Sequence, residues 1–239
     1  MISLDFFDTL VVRDVFQPSD IFYFVGKYAK KAGLINMNEE EFKLIRLKAE
    51  VIARKKSVYE EVTLDEIYNE MANYLNYQKE VLEKVKDIEK NIEKSSIVLI
   101  EENAKKVFDS IIISDTYHSK DFINEILDHL NLKGKGLYVS SEYRKTKHHG
   151  SLYDEVLGKF SIEKHIGDNQ HSDYKKAIEK NINAVLYSKS YPSRYEKMIY
   201  YNTNLPYELR AVLSGVMKAT RLQTFYENSH LSVIHNVSS

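Results

Sequence analysis

Apolar positions along the chain follow two rhythms. Short, nearly unbroken apolar runs lie at Ile2 to Phe6, Ser110 to Ile113, Gly136 to Val139, Lys164 to Ile166 and Asn183 to Tyr187. Runs of this length suit strands buried on both faces of a parallel sheet. Between them the period lengthens to that of a helix. Phe122, Ile123, Ile126, Leu127 and Leu130 share one face over His118 to Leu130, and Leu152 to Phe160 and Asp173 to Lys180 carry a similar pattern. Strands alternating with helices of this size imply right-handed crossovers. The fold class expected is therefore α/β, a Rossmann-like parallel sheet with helices on both faces and its site at the carboxyl ends of the strands.

The stretch between the first two strands is too long for a loop and is helical in pattern. Pro18, Ser19 and Asp20 open one helix, with proline suited to a first turn. Phe42, Ile45, Ala49 and Ile52 recur at helical spacing over Glu39 to Lys56. Thr63 and Glu66 have the spacing of a capping box ahead of Ile67, Met71 and Leu75, and Val81, Val85, Ile88 and Ile92 continue on another helix. These patterns divide the chain into a core of residues 1–13 and 96–187, a helical insertion of residues 14–95, and a tail of residues 188–239. The insertion fits a cap over the mouth of the sheet, or an independent helical domain with no part in the site. In the tail, Tyr207 to Leu222 reads as an amphipathic helix of no assigned role.

Composition narrows the class. With 34 basic and 35 acidic residues there is no basic excess to suggest a nucleic-acid partner. The absence of cysteine excludes disulfide scaffolds, thiolate zinc sites and cysteine nucleophiles. The N-terminal MISLDFF lacks the pattern of a signal peptide, and no apolar run has the length of a membrane span. A soluble, cytoplasmic protein is the expectation.

Candidate chemistry sits where strands end. The first closes as LDFFDTL, with Asp5 at its carboxyl end followed by Phe7, Asp8 and Thr9. A turn or cap accounts for Asp8 and Thr9, but packing gives no reason for an acid at Asp5. The second closes as SIIISDT, where Ser114 fits a phosphate oxygen or the cap of the next helix. In KTKHHGSLYDEV, Lys147 precedes a helix and fits a point charge on phosphate and carboxylate, or a solvated surface lysine. His148 and His149 are adjacent, so their side chains diverge and do not pair on a metal. In HIGDNQHSDYKKA, Asp168 and Asp173 at a strand–helix junction suit a hard cation such as Mg²⁺, while Ser172 and Asp173 also suit a helix N-terminus.

In this order, each at a strand end, the motifs resemble those of the haloacid dehalogenase superfamily, most of whose members are phosphatases. The resemblance covers Ile2 to about Tyr187. It implies a nucleophile at Asp5 that forms an aspartyl phosphate. It implies Mg²⁺ held by Asp5, the Phe7 carbonyl, Asp168 and Asp173, with Ser114 and Lys147 on the transferring oxygens and Thr9 and Asp115 in the same substrate pocket. The insertion is similar to the family's cap of the first type. The implied partner is a small phosphorylated substrate, sugar phosphates included. DFFDTL, ISDTY and GDNQHSD further resemble a subgroup of hydrolases linked to cell-surface polysaccharide and glycosyltransferase systems.

One position departs. The family's second motif-one acid, which protonates the leaving group and then activates water, is Phe7 here, and Asp8 stands one residue later. Three other readings therefore stay open: a dehalogenase, which keeps Asp5 and Lys147 but needs no Mg²⁺; a non-catalytic module binding sugar phosphates or a protein; and a phosphotransferase.

Overall fold

A computed structural model describes residues 1–75 and 77–223. Among these described residues seven strands form: β1 (Ile2–Leu4), β2 (Val11–Arg13), β3 (Ile97–Leu99), β4 (Ser110–Ser114), β5 (Gly136–Val139), β6 (Lys164–Gly167) and β7 (Asn183–Leu186). Five of them make one sheet in the order β5-β4-β1-β6-β7, parallel at every pairing. The apolar run of β4 explains why helices cover both faces. Ile112 joins Leu4, Phe6, Ile123 and Ile126 in one core, while Ile111 and Ile113 join Leu152, Tyr153 and Val156 in another. The first core is covered by α5 (Glu101–Ala104) and α6 (Lys120–His129), the second by α8 (Ser151–Leu157) and α9 (Lys176–Glu179), and a short α7 (Ser140–Tyr143) follows β5. The chain is thus an α/β protein with a Rossmann-like parallel sheet.

Two boundaries differ from expectation in ways that shape the site. The first strand stops at Leu4 rather than Phe6, although the Asp5 amide still donates to the Ile166 carbonyl at 2.8 Å. Asp5 is therefore the first residue beyond the ladder, free to turn. The helix expected from Asp173 begins earlier, as a π-helical turn over Gln170–Lys175 that runs into α9. The Asn169 side chain opens it by accepting from the His171 and Ser172 amides.

Residues between β2 and β3 form α1 (Asp20–Lys31), α2 (Glu39–Lys56), α3 (Leu64–Leu75) and α4 (Lys79–Ser95). They enclose their own core of Phe22, Val25, Phe42, Ala49, Ile67, Met71 and Val85. The capping box forms: the Thr63 amide donates to Glu66 Oε2 at 2.7 Å and the Glu66 amide to Thr63 Oγ1 at 3.2 Å. The linkers to this insertion pair with each other, a feature the sequence pattern did not reveal. β2 and β3 run antiparallel, Val11 opposite Leu99 and Arg13 opposite Ile97.

The tail supplies α10 (Arg194–Tyr200) and α11 (Tyr207–Gln223), and residues 224–239 of the expected tail lie outside the described residues. α11 lies directly on the first linker. A Cβ on Gly215 would come within 2.2 Å of Val15 Cα, so only glycine permits this approach. Among the described residues no helix is long and apolar enough to cross a membrane.

Candidate active site

The carboxyl ends of β1, β4 and β6 converge on a cavity of about 270 Å³ lined by Asp5, Phe7, Asp8, Asp115, Lys147 and Asp168, with further residues around its rim. Beyond β1 the chain doubles back, and the Leu10 and Val11 amides both donate to the Phe6 carbonyl at 2.9 and 3.0 Å. Asp8 takes φ 53° within this turn, a left-handed conformation that aspartate tolerates better than most residues. The turn sets Asp8 on the cavity wall beside Asp5. It also turns the Phe7 ring onto the Arg13 guanidinium, whose carbon lies 4.0 Å from the ring centroid.

Lys147 is the charge at the centre. It is buried, and its Nζ reaches Asp5 Oδ1 and Asp173 Oδ1 at 2.5 Å each. Asp115 holds the loop that delivers it, accepting from the Lys147 and His148 amides at 2.7 and 3.1 Å. Asp173 also accepts from the Asn169 amide at 2.9 Å and lies 3.2 Å from His165 Nε2. Thr9 Oγ1 donates to Asp168 Oδ1 at 3.4 Å.

Asp5, Asp168 and Asp173 each present a carboxylate oxygen within 4.8 Å of the others. One lysine does not balance three acids. Burial pushes Asp173 up, but Lys147 and His165 outweigh it and hold this carboxyl well below its ordinary value. Burial pushes Asp5 well up, opposed by Lys147 and reinforced by Asp173 and Asp168. Burial, then Asp8 and Asp173, push Asp168 up to about 7. A cluster of oxygen donors with surplus negative charge fits a hard divalent cation. Asp5, Asp168 and Asp173 are the groups that can hold one.

Solved structures with this arrangement of elements include magnesium-bound YfnB of Bacillus subtilis, named as a HAD-hydrolase. It matches at TM-score 0.53 and 15% identity, over 85% of this chain and 99% of that one. A 2-haloacid dehalogenase from Pseudomonas syringae pv. tomato matches at TM-score 0.54 and 14% identity, over 90% and 99%. L-2-haloacid dehalogenase from Xanthobacter autotrophicus, with chloropropionic acid covalently bound, matches at 0.53 and 13%, over 89% and 88%. The chain has the haloacid dehalogenase fold. At these identities the likeness is one of fold alone. No protein-family model matches the sequence, and no curated protein matches it.

Within this fold the residues singled out from sequence do not all meet. Asp5, Asp8, Asp115, Lys147, Asp168 and Asp173 line the cavity together with Phe7. Ser114 ends β4 with its Oγ buried and without a hydrogen-bond partner among the described residues, and the adjoining cavity wall is supplied by Asp115 and Thr116 instead. Thr9 is buried behind Asp168 and is likewise absent from the lining. Arg13, Arg54, Asn169 and Ser172 line the cavity without having been singled out as site residues. Two groups behind the lining were likewise not singled out: His165 against Asp173, and Lys218 of α11, whose Nζ lies 3.2 Å from Asp8 Oδ1.

Gly167 carries a sharp constraint. A Cβ there would fall 2.3 Å from Asp173 Cγ. Gly167→Ala should displace Asp173, destabilise the protein by about 1–3 kcal/mol and weaken divalent-cation binding. Melting curves and cation titration of the variant check both effects.

Asp168 gives the pH dependence its sign. With its folded value near 7 against an ordinary 3.8, the metal-free folded protein keeps a proton that the unfolded chain has released between those values. Its contribution to stability is therefore lost as pH rises from about 4 through about 7. A divalent cation competes with that proton, so its affinity should rise over the same interval. Melting temperatures in chelator and in Mg²⁺ across this range should diverge as pH increases.

Proposed function

We propose that this protein is a Mg²⁺-dependent phosphohydrolase of small phosphorylated metabolites, working through an aspartyl phosphate on Asp5. The observation that carries the reading is the Asp5–Asp168–Asp173 triad, with Asp5 and Asp173 buried and Lys147 bridging those two. The metal bound to YfnB supports it by analogy of fold. Mg²⁺, held by the three aspartates and the Phe7 carbonyl, would neutralise charge between the nucleophile and a phosphate dianion. Asp5 attacks phosphorus and the bond to the leaving oxygen breaks. Lys147 holds the transferring oxygens where charge develops. The helical insertion acts as a cap that keeps bulk water out during the first step. The clustered acids weigh against a metal-free dehalogenase, which has no use for them. A link to cell-surface polysaccharide systems rests on sequence resemblance alone.

In this reading Asp8 takes the proton-transfer role that Phe7 lacks. It lines the cavity with Asp5, and Lys218 anchors it. Asp8→Asn should leave attack on a substrate with a good leaving group, such as an acyl phosphate, largely intact. Hydrolysis of the aspartyl phosphate should slow by about 10²–10⁴-fold. Rapid-quench measurement would then find the covalent form accumulating in the variant. No accumulation, with turnover near wild type, assigns the proton transfer elsewhere. The function as a whole is tested by a screen of phosphate esters with and without Mg²⁺. Absence of turnover under both conditions would favour a binding module.

A further inference from the structure

The sheet supplies the carboxylates of the cavity, whereas the insertion and its linkers supply Arg13, Pro18 and Arg54. The polar side chains that this side brings to the cavity are thus two guanidinium groups. Neither is loose. Arg13 Nε and Nη2 both lie 2.6 Å from Glu93 Oε1, and its plane rests on the Phe7 ring. Arg54 Nε and Nη2 donate to Glu50 Oε1 at 3.1 and 3.0 Å, and its Nη1 donates to Glu61 Oε1 at 2.5 Å. Glu61 is itself buried and accepts from Ser140 Oγ at 2.9 Å, so the core holds the partner that orients Arg54.

These bonds leave donors over. Each terminal nitrogen of Arg54 carries a second hydrogen, and Arg13 Nη1 has no partner among the described residues. A fixed guanidinium with unspent N–H groups is matched to a carboxylate or phosphate. The cavity, at about 270 Å³, falls below the usual range for drug-sized ligands, so a molecule reaching from Asp5 to these arginines is short.

We propose that Arg13 and Arg54 form a second anion subsite, and that the substrate is a short phosphorylated molecule with another anionic group at its far end. That group is a carboxylate or a second phosphate. The proposal rests on the phosphohydrolase reading of the same cavity and adds the substrate class to it.

The test compares three probes of similar length in the presence of Mg²⁺: ethyl phosphate, phosphoglycolate and ethane-1,2-diyl bisphosphate. Binding is measured by titration calorimetry and hydrolysis by phosphate release. The proteins are the wild type, Arg54→Gln and Arg54→Lys, the lysine variant keeping the charge should the glutamine variant fold poorly. In the wild type at least one probe with an anionic tail should bind about tenfold or more tighter than ethyl phosphate, and whichever is tighter names the tail chemistry. Arg54→Gln should erase most of that ratio and Arg54→Lys part of it. Equal affinity for all three probes in the wild type, or a ratio unchanged in Arg54→Gln, overturns the subsite while leaving the phosphohydrolase reading standing. Failure of every probe to bind or react overturns both.

Discussion

Replacing Lys147 by methionine should destabilise the metal-free protein by about 3–5 kcal/mol and abolish turnover. Lys147 is 2% exposed and its ammonium group contacts two carboxylates that are themselves buried. Methionine fills much of the same space, so packing is largely kept. What is lost is the lysine charge that lies among Asp5, Asp168 and Asp173, and three close acids then repel in a medium that screens them poorly. The protein can respond by protonating them, so the loss should be greatest at high pH. Mg²⁺ should recover part of the stability, and recover more in the variant than in the wild type, because it replaces the missing charge. Denaturant melts with chelator and with Mg²⁺ measure both effects. A loss below about 1 kcal/mol would mean that the acids are already neutral without Lys147.

The second large effect is on chemistry alone. Asp5→Asn should lower turnover by about 10⁴-fold or more, as removal of a covalent nucleophile does elsewhere. The variant should melt no lower than the wild type in chelator. Burial and the neighbouring Asp173 and Asp168 already push the Asp5 carboxyl well up, so an uncharged amide relieves a like-charge contact. Lys147 keeps Asp173 as partner. Steady-state assays and a melting curve on one preparation separate this outcome from simple unfolding. Activity within a few-fold of wild type would remove Asp5 from the mechanism.

Much of the fold was legible because the strands of a parallel sheet covered on both faces carry nearly unbroken apolar runs. Ile111, Ile112 and Ile113 face two different cores in turn, and such a run has few other structural uses. The acids were legible for the opposite reason, since Asp5 and Asp168 follow such runs where no packing need explains them. β2 and β3 escaped notice because three residues each, VVR and IVL, carry no period, and their pairing joins residues far apart in sequence. Local conformation hid the rest. From spacing alone Asp8 begins on the face opposite Asp5, and only the left-handed turn at φ 53° brings it to the cavity. Spacing cannot show that Ser114 ends buried at the end of β4 while Asp115 and Thr116 form the wall. Lys218 reaches Asp8 across 210 positions of sequence, and neither residue signals the other. Nothing in the sequence marked Arg13 or Arg54, because a cavity between an insertion and a sheet leaves no periodic trace.

In the proposed reaction a phosphoryl group passes to Asp5 with Mg²⁺ present. The most direct measurement is intact-protein mass spectrometry after acid quench of a brief incubation with acetyl phosphate, with and without Mg²⁺. The expected result is a mass gain of one phosphoryl group that requires Mg²⁺, maps to Asp5 on proteolysis and is absent from Asp5→Asn. Phosphate release from acetyl phosphate without any such adduct at the shortest times, or an adduct that persists in Asp5→Asn, would contradict it.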